Sequence, residues 1–71
     1  MIARFYLCTY TTNKNGGVDM RIKYSDYDEQ DFINEQEARE YGRGLVSGLR
    51  YKWAKAACIM KLENGKEMNI I

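Results

Sequence analysis

The sequence predicts an α+β domain of order ββαββ, a four-stranded, largely antiparallel sheet with one helix packed on one face. Three observations carry this expectation. Residues 2–11 and 18–24 alternate apolar and polar side chains on either side of a polar, glycine-ended connection. A helical periodicity then runs over residues 35–49. Last, two further alternating stretches flank Asn64-Gly65, a strong two-residue hairpin signal.

In the first strand, "IARFYLCTYT", Ala3, Phe5, Leu7 and Thr9 form one row and Ile2, Arg4, Tyr6, Cys8 and Tyr10 the other. "TNKNGG" supplies the turn, because asparagine and glycine accept backbone conformations that other residues resist. In the second strand, "VDMRIKY", Val18, Met20, Ile22 and Tyr24 are expected on the helix-covered face, with Asp19, Arg21 and Lys23 outward. Asn34 followed by Glu37 is a capping-box-like pair that opens the helix. Ala38, Tyr41, Gly42, Leu45, Val46 and Leu49 form its apolar stripe. Gly42 on that stripe implies close approach to the sheet, and Gly48 lies where the helix is expected to end.

The third strand is read over residues 53–62. Ala54, Ala56, Cys58, Met60 and Leu62 face the helix, and Trp53, Lys55, Ala57, Ile59 and Lys61 face away. The closing stretch "EMNII" adds Met68 and Ile70 to the core. The crossover between the second and third strands implies spatial order 2-1-3-4, with strand one central and antiparallel to strand three.

Seventy-one residues make one domain, 1–71, whose core leaves little volume for a buried catalytic cavity. Eleven bases against ten acids give a net charge of +1, so no global field draws the chain to nucleic acid or membrane. No stretch approaches the roughly 18 apolar residues of a membrane span, so no membrane role is expected. Cys8 and Cys58 are too few for a disulfide framework, which implies a reducing, cytoplasmic setting. Opening on methionine with no secretory pattern, the chain is expected to be a complete small reading frame. There is no histidine, hence no Ser-His or Cys-His pair, and two distant cysteines make no zinc site. Neither "DYDEQD" nor "GRGLVSG" satisfies the context of a calcium or phosphate loop. The expectation is a protein that is not an enzyme and uses no cofactor or metal.

Two surfaces remain as candidates. The sheet face away from the helix is expected to show Arg4, Tyr6, Tyr10, Arg21, Lys23, Trp53, Lys55, Ile59 and Lys61. Aromatic rings among cations suit single-stranded nucleic acid, where stacking contributes ~1–3 kcal/mol per base. The same residue types suit a protein interface, including one between two copies, and also an ordinary exposed sheet face. The second surface is acidic: Asp26, Tyr27, Asp28, Glu29 and Asp31 lead into Glu35, Glu37 and Glu40. Acids there complement the helix dipole, or they dock on a basic partner.

The residues "DFINEQEAREYG" and "AKAACIMKLENGKEM" resemble the small ββαββ orphan proteins of phages, prophages and mobile elements. That resemblance implies a regulator or inhibitor that binds one macromolecule, and it carries over no site residue. The leading expectation is a protein-binding regulator. A single-stranded nucleic-acid binder and a homo-oligomeric structural protein are the alternatives.

Overall fold

The computed structural model describes residues 1–71, the side chains of residues 22–26 excepted. The expectations for Ile22, Tyr24, Lys23 and Asp26 therefore lie outside the described side chains. The architecture is α+β, with one helix against an antiparallel sheet. The elements are β1 (Ile2–Thr12), β2 (Val18–Asp31), α1 (Glu35–Leu49), β3 (Ala56–Leu62) and β4 (Glu67–Ile70), and the sheet order is β2-β1-β3-β4.

The turn between β1 and β2 is built by Asn13. Its Oδ1 accepts from the amides of Asn15 (3.0 Å) and Gly17 (2.8 Å), and Gly16 takes a φ of +79° that glycine adopts without a Cβ penalty. Beyond it β2 is longer than its hydrophobic alternation predicts. Pairing does not stop near Tyr24 but continues through the polar run to Asp31, which stands opposite Ile2. Aspartate and glutamine are poor strand formers, and cross-strand partners override that preference here.

The ladder between β1 and β2 breaks once. Tyr6 pairs with Tyr27 and Cys8 with Ile22, so Leu7 alone faces four residues, 23–26. Three extra residues are an odd number, and an odd insertion reverses which face each later residue occupies. Met20 and Val18 consequently share a face with Tyr10 and Thr12, away from the helix, while Arg21 shares the helix-side face with Thr9. This reverses the expected orientation of Val18, Met20 and Arg21. Val18 is exposed and Met20 only half-buried.

Helix α1 begins at Asn34, whose extended backbone and Oδ1, accepting from the Glu37 amide at 2.9 Å, form the N-cap. Glu37 reaches back as expected, but to the amide of Ile33 at 3.0 Å. The helix runs past Gly48 and ends with the Arg50 amide bonded to the Val46 carbonyl at 3.0 Å. Ala38, Gly42 and Val46 are its buried residues, spaced by four along one face. They meet Ala3, Phe5, Cys58, Met60, Leu62 and Ile70, with Phe32, Tyr41, Leu45 and Met68 packed around them. At Gly42 a Cβ would collide with Ile70 Cδ1 and stand 3.0 Å from Phe5 Cε1, so the expected close approach is real.

The third strand is shorter than its alternation predicts. Residues 50–55 form turns, with the Lys52 and Trp53 amides both bonded to the Leu49 carbonyl at 2.9 Å. Those bonds prolong the helix end through Trp53, so Ala54 is exposed, and sheet contact begins just before β3 with the Lys55 carbonyl, which accepts from the Tyr10 amide at 3.0 Å. Trp53 is half-buried in that connection.

Candidate interaction surface

In an antiparallel ladder, directly paired residues share a face. The registers β1–β2, β1–β3 and β3–β4 therefore order the open face into rows that cross all four strands. One row is Glu29, Arg4, Lys61 and Glu67, and the next is Tyr27, Tyr6, Ile59 and Asn69. Beyond these, Cys8 stands beside Ala57, and Tyr10 beside Met20.

The charged row alternates acid, base, base, acid. Arg4 Nε donates to Glu29 Oε1 at 2.6 Å, and Lys61 Nζ lies 4.0 Å from Glu67 Oε2. The Glu29 hydrogen bond, backed by Tyr6, holds the Arg4 guanidinium above its ordinary value. Both cations also lean over the aromatic row: Arg4 Cζ is 4.9 Å from the Tyr27 ring centroid and Lys61 Nζ 5.0 Å from that of Tyr6. The two tyrosine rings themselves are tilted, with centroids 5.4 Å apart. A groove of 510 Å³ opens at this end of the face, lined by Ile2, Arg4, Glu29, Lys61, Glu63 and Glu67 among others. Its charged lining is three carboxylates against two cations.

Of the face expected from the sequence, the structure brings together Arg4, Tyr6, Ile59 and Lys61, with Tyr10 two rows away. Arg21 belongs to the opposite side, and Trp53 and Lys55 lie in the connection before β3, for the reasons of register and helix ending given above. Tyr27, Glu29 and Glu67 were not expected there. The sequence signal for two of them was the polar run of residues 25–31, which reads as loop but contains residues complementary to Arg4 and Tyr6.

The acidic surface does not survive as one patch. Glu29 and Asp31 lie on the open face, where Asp31 Oδ1 accepts from the Met1 ammonium at 2.8 Å. That contact lowers the Asp31 carboxyl and raises the amine. Asp28 points to the helix side and accepts from the Tyr41 hydroxyl and from Gln30 Nε2, the latter at 3.1 Å. Glu35 is shared by Arg39 and Lys66, each at 3.0 Å, and its carboxyl is held below the ordinary value chiefly by Lys66. Strand alternation split the acids, and local partners then engaged them.

Both cysteines are free thiols. Cys8 is 2% exposed although it lies on the open face, as does Ala57 at 0%, so this half of the face is covered. Cys58 faces the helix, where burial, with Cys8 nearby as a lesser cause, pushes its thiol up to about 12. Burial also raises Cys8. Neither is poised as a nucleophile. Among the described residues no group of three His, Cys, Asp or Glu could hold a metal ion, and no helix is long and apolar enough to cross a membrane. No protein family, curated protein or solved structure matches the chain.

Proposed function

We propose that this chain is a non-enzymatic interaction protein, a regulator or inhibitor that binds a protein partner through its open sheet face. The observation that carries the reading is the row Glu29, Arg4, Lys61, Glu67 beside the row Tyr27, Tyr6, Ile59. Among the described residues of these rows, Arg4 and Lys61 are each matched by a carboxylate, while Tyr27 remains 47% and Ile2 41% exposed. A partly exposed aromatic and aliphatic strip edged by self-compensated charge is the composition of a protein interface.

The pairing counts against single-stranded nucleic acid. Phosphate tracking needs cations whose counterions are released on binding, and a cation already neutralised by an internal acid supplies little. The reading extends to a reducing, cytoplasmic setting, supported by two buried thiols that face opposite sides of the sheet. A phage or mobile-element origin rests on the resemblance of the helix and second hairpin alone.

Two measurements test it. Labelled oligo-dT and oligo-U titrated at low salt are expected to show no saturable binding; binding that weakens steeply with salt would replace this reading with the nucleic-acid one. The chain and its Tyr6→Ala and Tyr27→Lys variants, used as parallel baits, are expected to differ in the proteins retained. Identical retained sets would remove the open face from the proposal.

A further inference from the structure

Strand β4 ends the sheet, with β3 on one side and no strand on the other. The Leu62 amide bonds to the Lys66 carbonyl at 2.9 Å, and that pair fixes the alternation of the hairpin. Met68 and Ile70, paired with Met60 and Cys58, then turn their backbone groups toward β3. Glu67 and Asn69 turn theirs outward, free to pair with an added strand.

Above this edge lies a groove of 310 Å³ lined by Arg39, Arg43, Met68, Asn69, Ile70 and Ile71. Its electrostatics are incomplete. Arg39 Nε is buried without a hydrogen-bond partner, although its NH2 group reaches Glu35 at 3.0 Å. Glu35 also serves Lys66, and among the described residues Arg43 makes no ion pair. Two cations, Arg39 and Lys66, thus share one carboxylate, and Arg43 beside them has none among the described residues. The Arg39 side chain is 38% exposed and Arg43 is exposed, so both guanidinium groups remain accessible to a carboxylate, the partner that suits them best.

The spacing selects a particular ligand. Arg39 and Arg43 stand one helical turn apart, about 6 Å. Alternate residues of a strand are about 6.6–7 Å apart and point to the same face. We propose that the β4 edge accepts an extended acidic segment of a partner protein as a fifth strand, with carboxylates at alternate positions meeting Arg39 and Arg43. The intervening side chains of that segment fall on the open face beside Glu67, which disfavours acids there. Its anchors Arg39 and Arg43 lie on the helix side and not on the Tyr6–Tyr27 face, so Arg43→Glu tests this edge without touching the aromatic row.

The test uses the whole chain and a capped octapeptide of alternating glutamate and threonine, titrated by fluorescence anisotropy and by amide exchange. Expected is saturable binding, with new protection at the outward amides of Glu67 and Asn69. Arg43→Glu should weaken binding about tenfold or more, as lost charge pairing does. Asn69→Pro, which removes one outward amide from an edge strand, should abolish the protection. If Asn69→Pro does not fold, Arg43→Glu with the exchange readout decides alone. A control peptide with contiguous glutamates should bind more weakly; equal binding would reduce the site to a diffuse basic patch and overturn the proposal. No binding overturns it, as does protection of Glu67 and Asn69 that depends only on the chain's own concentration, which would make the occupant a second copy.

Discussion

Tyr6 of β1 stands directly opposite Tyr27 of β2, yet two residues further along Cys8 stands opposite Ile22. The three extra residues between those pairs turn Met20 toward Tyr10 on the open face, beside the row where Cys8 and Ala57 are buried. Ala57 therefore occupies a packed site on a face that would otherwise be bare. Ala57→Leu is expected to destabilise the fold by ~1–3 kcal/mol through overpacking, read from urea denaturation midpoints. An unchanged midpoint would show that nothing covers Ala57.

The three helix glycines should respond with opposite signs. Gly42→Ala forces Ile70 and Phe5 aside and is expected to lose about 1–2 kcal/mol despite alanine's better helix propensity. Gly44 and Gly48 have no atom near a Cβ position and ordinary negative φ, so alanine at either should add ~0.5–1 kcal/mol. Thermal melts of the three variants check this, and a stabilising Gly42→Ala would refute the close approach.

Tyr41 ties the helix to β2 through its hydroxyl on Asp28, while its ring packs 5.2 Å from Phe5 and 5.3 Å from Phe32. Tyr41→Phe keeps the rings and should cost about 0.5–1.5 kcal/mol. The Asp28 hydrogen bond, then burial, raise the Tyr41 phenol above its ordinary value of 10.0. A raised phenol binds its proton more tightly in the folded state, so its stabilisation is full below pH 10. It is lost as pH climbs through the folded value. Stability followed from pH 8 to 12 should fall less steeply in Tyr41→Phe.

Cys58, with its thiol near 12, is thiolate in only about one part in 10⁴ at pH 8. Iodoacetamide at that pH should label it only when the fold opens, at a rate that rises with urea. Rapid labelling of Cys58 without denaturant would contradict its burial against the helix.

Local signals in the chain were enough for the helix and its Asn34 cap, the Gly42 approach, the Asn13 turn and the inward row from Ala56 to Leu62. Each rests on residues close together in sequence. The ends of strands were less legible. Residues 25–31 read as an acidic loop because aspartate and glutamine are poor strand formers. Residues 27–31 nevertheless pair with Ile2 to Tyr6, where Arg4 meets Glu29 and Tyr6 meets Tyr27. Residues 53–55 read as strand because their alternation continues into β3, but the backbone turns at Trp53 and Ala54 and joins the sheet only from the Lys55 carbonyl, which accepts from the Tyr10 amide.

By itself the sequence determined the α+β class, the helix, the alternating rows and the absence of histidine chemistry, because periodicity and residue type are local properties. Only the tertiary structure decided which face each half of β2 presents, which acids neutralise Arg4 and Lys61, and that Arg39 and Arg43 overhang a free strand edge. Those are questions of register and long-range pairing. A three-residue shift in one ladder leaves the alternation of a strand intact while exchanging its inside for its outside.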